Sequence, residues 1–276
     1  MRAYLIIITA FIINIANAQQ YSGIIRDSTT NEPIPFVNIG IMNKGTGTVS
    51  QADGNFKLII AHEFLADTIR ISMIGYEKKM ILVRDFIEAN EYNFITINLQ
   101  PDIQELNTII VRPRNMKEII LGNTFDSPHI MAGFKTNDLG AEIETIMKVH
   151  DERTYYLKTA GFYIGKCLYD SILFRVNIYN IVDRKPGEIL HTLPIYVKIV
   201  NGQTKLLIDL TPYNITVDDD FILSLEWIQD LSDKTTSLMF CAGFIGNRIF
   251  YKLTSQDKWS TFPIGIGSWC LAEYEK

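Results

Sequence analysis

Apolar and polar residues alternate along most of this chain, and no segment shows a long helical period. In residues 69–73 the apolar side chains fall on odd positions, whereas Arg70 and Ser72 fall on even positions. A period of two predicts a β-strand with one face on a core. The same pattern recurs in residues 95–99. About seven such segments between residues 21 and 111 favour a compact β-sandwich.

The alternation restarts near residue 141 and continues to the C-terminus. Ile143, Thr145, Met147 and Val149 share one face of a predicted strand, and the polar face carries Glu142 and Glu144, which we expect to be solvent-exposed. Further strands are predicted at residues 172–179 and 221–227. About eight or nine strands in this half favour a second, jelly-roll-like sandwich. The predicted fold class is therefore all-β, with two β-sandwich domains.

The two predicted domains are separated by a segment without a clean period. Pro113 cannot donate a ladder hydrogen bond, so a strand should end before it. Charged residues, Gly122 and Pro128 follow. We interpret residues 113–125 as a linker with one short helical turn around residues 117–121. The domains are then expected at residues 19–112 and 126–276.

The first 18 residues have the composition of a signal peptide. Arg2 precedes a short apolar run at residues 5–13, and Ala16 and Ala18 supply the small residues of a cleavage site. The run is shorter than the ~20 residues that a membrane-spanning helix needs. We expect an exported protein located in the periplasm, at the outer-membrane surface or outside the cell. An uncleaved N-terminal anchor is the alternative.

Charge and cysteine content narrow the partners and the chemistry. The formal net charge is -5, and Lys and Arg residues are not clustered. Nucleic acid and anionic lipid are therefore unfavourable partners.

Cys167, Cys241 and Cys270 are the three cysteines. The apolar surroundings of Cys167 and Cys241 favour buried thiols, although a disulfide within one pair is the alternative.

Several motifs of the first half occur in a recognisable order. They are residues 23–27, the turn and strand at 32–39, Gly45-Thr46-Gly47-Thr48, Asp53-Gly54-Asn55-Phe56 and residues 71–77. In this order they resemble the carboxypeptidase-D regulatory-like domain, which is a transthyretin-type (prealbumin-like) sandwich common in exported proteins of Bacteroidetes. The resemblance covers roughly residues 20–100. The second half more loosely resembles an uncharacterised sandwich that often follows this domain.

The resemblance implies an accessory domain and not the zinc peptidase that it accompanies. A zinc peptidase of that type needs a His-x-x-Glu pair, and none of the histidines has this spacing: His62, His129, His150 and His191. The chain is also too short for the barrel of a TonB-dependent receptor.

No catalytic motif emerges elsewhere in the chain. The nucleophile elbow, the zinc-binding histidine motif, the P-loop and the dinucleotide fingerprint are all missing. We therefore predict that the protein is not an enzyme and needs no cofactor. Asp218, Asp219 and Asp220 precede a predicted strand, where Asp218 and Asp220 could bind a structural Ca²⁺. A solvated turn is the simpler interpretation.

Aromatic side chains supply the candidate ligand-binding residues. Tyr155 and Tyr163 lie in an aromatic-rich segment, and Trp259 is flanked by polar residues. Such rings stack on the apolar faces of sugars when they are exposed, although most of these aromatics should pack in the core.

The sequence thus predicts an exported, non-catalytic binding or scaffolding protein of the cell envelope, whose ligand is a polysaccharide or an envelope protein. The alternative is a glycan- or peptide-directed hydrolase that uses carboxylates of the second half, such as Asp218 to Asp220 or Glu226. A cleft with converging carboxylates would favour the hydrolase, and a flat aromatic strip would favour the binding protein.

Overall fold

The computed structural model describes residues 18–90, 94–102, 115–134, 139–149, 151, 153–231, 237–244 and 248–276. The predicted signal peptide, apart from Ala18, and residues 113–114 of the predicted linker lie outside the described residues. No helix in the described part of the chain is long and apolar enough to cross a membrane.

The first half is a sandwich of a three-stranded and a four-stranded sheet. The first sheet has the order β4-β1-β7, and the second has the order β3-β2-β5-β6. The strands are β1 Ala18–Asp27, β2 Asn38–Ile41, β3 Thr46–Val49, β4 Asn55–Ala61, β5 Thr68–Ser72, β6 Lys79–Leu82 and β7 Phe94–Leu99. A short helix, α1 (Val83–Glu88), and a 3₁₀ turn at His62–Phe64 complete this half.

Alternation along the strands places the core of the first sandwich. In β4, Phe56, Leu58 and Ile60 are buried, whereas Lys57 and Ile59 are exposed. Ile25 of β1 packs in the same apolar cluster, which also includes residues of the four-stranded sheet. The period-two pattern therefore identifies correctly which side chains of β4 face the core.

The second half contains a seven-stranded and an eight-stranded sheet. The seven-stranded sheet has the order β13-β12-β17-β10-β19-β20 with β14 beside β12, and the eight-stranded sheet has the order β21-β18-β11-β22-β8, with β9, β15 and β16 beside it. The strands are β8 Met116–Gly122, β9 Met131–Phe134, β10 Glu142–Met147, β11 Tyr155–Cys167, β12 Ser171–Val182, β13 Lys185–Ile189, β14 Ile195–Val200, β15 Lys205–Asp209, β16 Thr216–Val217, β17 Phe221–Asp230, β18 Leu238–Gly243, β19 Ile249–Lys252, β20 Ser260–Phe262, β21 Gly265–Ile266 and β22 Ser268–Glu275. A 3₁₀ turn occupies Thr211–Tyr213. The predicted all-β class is confirmed.

The helical turn predicted around residues 117–121 is wrong. Residues Met116–Gly122 form β8, which pairs antiparallel with β22 and places Leu121 opposite Cys270. Leu121 is 1% exposed and belongs to the core of the second half. Burial of this side chain favours the strand. β8 thus belongs to a sheet of the second half, ahead of the predicted start of that domain at residue 126.

The two halves meet where the β2–β3 hairpin contacts residues 254–257 of the second half. The Thr254 hydroxyl donates to the Gly47 carbonyl at 2.9 Å, and the Asn43 amide donates to the Gln256 carbonyl at 2.9 Å. A Cβ atom on Gly47 would lie 2.0 Å from the Ser255 carbonyl oxygen. This close approach between the halves requires glycine at position 47.

An apolar contact and free thiols complete the packing. Phe36 and Val49 of the first half form a small buried cluster with Ile228 of the second half.

All three cysteines are free and buried, so the disulfide alternative is not seen. Burial raises the pKa of Cys270 to about 12, which keeps this thiol protonated.

Candidate ligand-binding site

A group of charged and polar side chains covers one face of the seven-stranded sheet. Antiparallel pairing places Glu142 opposite Glu226, Arg175 opposite Glu226, and Asn177 opposite Ser224. Directly paired residues share a face, so these side chains converge. We call the group the buried charge cluster; its members are Glu142, Glu144, Arg175, Asn177, Tyr179, Ser224, Glu226 and Lys252.

Both faces of this sheet are covered by protein. Phe174, Val176 and Leu225 lie on the opposite face and belong to the core of the second half. The buried charge cluster faces the first half, because the Arg175 guanidinium donates from Nη1 to the Phe36 carbonyl at 2.9 Å. The Phe36 backbone has a φ of 56°, an uncommon conformation for a residue other than glycine. This contact ties the cluster to the first sandwich.

Arg175 and Glu226 form the central ion pair. The Arg175 Nε and Nη2 atoms donate to Glu226 Oε2 at 3.0 and 2.7 Å, and the two side chains are 2% and 1% exposed. Asn177 Nδ2 donates to the same oxygen at 2.9 Å. A buried carboxylate is stable only when it is paired and hydrogen-bonded, as Glu226 is.

Glu142 is the second acid of the cluster. Its Oε1 atom accepts hydrogen bonds from Asn177 at 2.9 Å, from Tyr179 at 3.0 Å and from Ser224. Its Oε2 atom lies 2.6 Å from Lys252 Nζ. The amide of Asn177 therefore bridges the two carboxylates Glu142 and Glu226.

The third acid, Glu144, is held in its neutral form. Burial, and then the negative charge of Glu142, raise the pKa of Glu144 well above its usual value. Burial would also raise the pKa of Glu226, but the charges of Arg175 and Lys252 outweigh it, and the pKa is lowered. The two ion-paired carboxylates, Glu142 and Glu226, are matched by two cations, Lys252 and Arg175.

A cavity of about 550 Å³ opens between the two halves beside this cluster. The first half contributes Asn38, Arg70 and Ser72 to its wall, and the second half contributes Asn177, His191 and Glu226, among other residues. Its volume is in the usual range for small-ligand sites, which often lie at domain interfaces.

Three residues that line the cavity each have a buried acceptor atom without a hydrogen-bond partner among the described residues: Asn38 Oδ1, Asn177 Oδ1 and His191 Nε2. The His191 Nδ1 atom lies 2.8 Å from the Leu193 carbonyl oxygen, which can only accept. The ring proton is therefore on Nδ1, and Nε2 is an acceptor. Burial lowers the pKa of His191 and keeps the ring neutral. Each unsatisfied buried acceptor costs about 1–3 kcal/mol, so an incoming hydroxyl or water would be stabilised here.

Arg70 lies on β5 at the same cavity. Its Nε atom donates to the Gln256 side-chain oxygen, and Gln256 Nε2 donates to the Ser72 hydroxyl at 2.9 Å. Among the described residues, the Arg70 guanidinium forms no ion pair with a carboxylate. Partial burial lowers the pKa of Arg70 from its usual value, although an arginine stays charged at neutral pH.

Trp259 lies beside a smaller recess of about 260 Å³, which Arg70, Tyr179 and Lys252 also line. The Lys252 Nζ atom lies 4.7 Å from the centroid of its ring. The Trp259 ring is partly exposed. Of the three predicted aromatic ligand-binding residues, Trp259 is the one that lies next to the buried charge cluster.

The structure does not bring Tyr155 and Tyr163 together on one face. Tyr155 is 1% exposed, its ring packs in the core, and its hydroxyl donates to Asp151 at 3.0 Å. A β-bulge between Leu157 and Thr159 shifts the alternation, so Tyr163 points away from the core. Burial of Tyr155 contradicts its predicted role in stacking on a ligand.

The predicted calcium residues Asp218 and Asp220 lie in a turn whose contacts are local. Asp220 accepts a hydrogen bond from the Val149 amide at 2.9 Å, and Asp219 accepts one from the Asp220 amide at 2.6 Å. In the described ranges, no group of three or more His, Cys, Asp or Glu side chains is placed to bind a metal. Asp218 is exposed. These contacts are those of a solvated turn.

Sequence reasoning missed most of the buried charge cluster. Glu142 and Glu144 were expected on a solvent-exposed strand face, but both are 0% exposed. A signal was present, because Glu226 and Ser224 alternate with Leu223, Leu225 and Trp227 in a strand flanked by apolar sequence. The pattern identifies the polar face, but it does not reveal that the first half covers it.

A family model matches the first half of the chain, which contributes one wall of the cavity. Residues 21–111 match the family model of the CarboxypepD_reg-like domain. This span holds the four-stranded sheet that carries Asn38, Arg70 and Ser72, and it confirms the resemblance for the first half. The domain is a regulatory, non-catalytic one. The loose resemblance of the second half stays a prediction.

Comparisons with whole proteins add little. No curated protein matches the chain. Among solved structures, the major pilin subunit of Bacillus cereus is 9% identical, with 90% of this chain and 68% of that chain covered and a TM-score of 0.21. The VP2 subviral particle of infectious bursal disease virus is 8% identical (94% and 64% covered, TM-score 0.28), and a DUF3823 family protein from Bacteroides ovatus is 9% identical (93% and 97% covered, TM-score 0.18). TM-scores of this size do not indicate a shared fold.

Proposed function

We propose that the protein is an exported, non-catalytic binding protein of the cell envelope, and that a polysaccharide segment binds in the cavity between its two halves. The observation that carries this proposal is the cavity itself, whose wall combines both halves and offers acceptors without protein donors. The composition of the first 18 residues supports export.

A cavity beside grouped carboxylates is the arrangement expected for the hydrolase alternative, but the contacts of these carboxylates favour binding. Glu226 is the one acid of the buried charge cluster that lines the cavity, and its Oε2 atom already accepts three hydrogen bonds. Its pKa is lowered, so it is a poor proton donor at neutral pH. Glu144 does not line the cavity. The hydrolase alternative, in which Glu226 acts on a glycan, therefore has less support.

A glycan array combined with a pull-down from envelope extract tests the proposal on the full chain. Leu193 lines the cavity and is 55% exposed, so Leu193→Trp should obstruct the cavity without disturbing the core. Leu207 is 57% exposed on β15, away from the cavity, so Leu207→Trp is the matched control. We expect retention of a glycan that Leu193→Trp weakens and Leu207→Trp does not. Retention that is equal in both variants, or capture of an envelope protein alone, would contradict the proposal.

A further inference from the structure

Three of the four Lys and Arg residues that line the cavity form ion pairs, and Asp102 is a further acid of its wall. Arg175 pairs with Glu226, Lys252 pairs with Glu142, and Lys78 lies 3.1 Å from Glu188. Arg70 is the remaining cation of the wall, and it has no carboxylate partner in the described part of the chain. Its contact with Gln256, which is itself bonded to Ser72, fixes the guanidinium from both halves of the molecule. A fixed arginine fork is suited to a planar anion such as a carboxylate.

Three uncharged residues of the wall carry hydrogen-bond acceptors that a ligand with donor groups would satisfy. Asn38 Oδ1, Asn177 Oδ1 and His191 Nε2 are acceptors without donors in the described part of the chain, and burial favours the neutral His191 ring. Sugar hydroxyls supply donors, either directly or through a bridging water. A peptide segment would bring a carbonyl oxygen with each N–H group. Those carbonyls would add acceptors beside Asn38 Oδ1, Asn177 Oδ1 and His191 Nε2.

We propose that the ligand of this cavity is an acidic saccharide, a uronic-acid unit whose carboxylate pairs with Arg70 while its hydroxyls donate to Asn38, Asn177 and His191. This inference rests on the proposed function and names the chemical class of its ligand. It also assigns Arg70 as the residue that selects charged over neutral sugars.

Calorimetric titration of the full chain tests this assignment. The probes are oligomers of galacturonate, glucuronate and mannuronate, each paired with its carboxyl-reduced counterpart, which keeps the hydroxyls but loses the charge. Arg70→Gln removes the cation at the cavity. Arg84→Gln is the matched control, because Arg84 is exposed on α1 and does not line the cavity. Melting temperatures of both variants show whether each is folded.

We expect at least one uronate oligomer to bind, and Arg70→Gln to weaken it about ten- to a hundredfold, as for loss of a charge-assisted hydrogen bond. Arg84→Gln should leave the affinity within about twofold, since its charge is exposed and distant. The carboxyl-reduced oligomer should bind more weakly, and Arg70→Gln should not change its affinity.

Two results would overturn the acidic saccharide and leave the cavity as a binding site. One is equal affinity for charged and reduced oligomers in the wild type and in Arg70→Gln. The other is binding of a polyglutamate peptide that depends on Arg70, with no binding of any saccharide. Saccharide binding that Leu193→Trp does not affect would instead place the site outside the cavity, and the proposed function would fail with it.

Discussion

At the scale of single residues, the account depends on the buried charge cluster. Arg175 is 2% exposed, and it links Glu226 of the second half to the Phe36 carbonyl of the first half. Such a pair gains little over an apolar substitute, but removing one partner leaves an uncompensated charge. We therefore expect Arg175 to stabilise the contact between the two halves more than it stabilises its own sheet.

We expect Arg175→Met to lower the free energy of unfolding by about 3–5 kcal/mol, because Glu226 is left buried with Lys252 as its only cation, at 4.0 Å. Urea denaturation measures the change. The double substitution of Arg175→Met with Glu226→Leu should recover most of the loss. Arg153→Met, which breaks an exposed pair with Asp151, should cost about 1 kcal/mol or less. Equal losses in Arg175→Met and Arg153→Met would contradict this role.

The neutral Glu144 predicts a pH dependence with a definite sign. Its pKa is raised in the folded state, so its contribution to stability is present below the unfolded pKa and is lost as the pH rises through the folded pKa. The loss amounts to up to about 1.4 kcal/mol per pH unit for one proton. Glu144→Gln removes this titration. We expect the variant to resemble the wild type near pH 4 and to exceed its stability at pH 8, measured by denaturation at both values. A variant that is less stable than the wild type at pH 8 would show that Glu144 is ionised in the native state.

The sequence predicts which residues of a strand share a face, but not what covers that face. Glu142 and Glu144 alternate with Ile143 and Thr145 as expected for β10. Their burial depends on the first half, which is distant in sequence and packs over the sheet. From sequence alone, the polar face of β10 therefore predicts a solvated surface, and the aromatic residues are the more obvious candidates for a ligand site.

At the scale of secondary-structure elements, local irregularities account for the remaining differences. The bulge in β11 reverses the alternation between Tyr155 and Tyr163, which simple counting cannot anticipate. β8 forms because it pairs with β22, and this partner lies at the other end of the chain, where local sequence gives no signal of it. A turn with a local sequence signal is easier to predict: Gly54 follows Asp53 and has a φ of 77°, as an Asp-Gly turn requires.

The β2–β3 hairpin supplies a prediction at this scale. Gly47→Ala would place a Cβ 2.0 Å from the Ser255 carbonyl oxygen, so the backbone of one half must shift. We expect a loss of about 1–3 kcal/mol, in the range of overpacked sites, measured by urea denaturation. Thr48→Ala, in the next position of β3, is the control and should have a smaller effect. An unchanged stability in Gly47→Ala would mean that residues 254–257 do not pack closely on the hairpin.

At the scale of the whole molecule, both halves contribute to one site. The first half supplies a regulatory-type sandwich, and the second half supplies a sheet with a charged face that this sandwich covers. The remaining gap is the cavity beside the buried charge cluster. In this account neither half alone is a complete binding site. The alternative is a sugar site on the partly exposed aromatic residues of the eight-stranded sheet. There, Lys205 Nζ lies 5.1 Å from the centroid of the Tyr163 ring and 5.3 Å from that of the Trp269 ring.

Hydrogen–deuterium exchange of the full chain, with and without a saturating glycan selected on the array, tests the central claim most directly. The account predicts slower exchange on both walls of the cavity at once, in residues 70–78 of the first half and residues 187–193 of the second. Protection confined to the face of the eight-stranded sheet around Tyr163 and Trp269, with no change at the cavity, would contradict it.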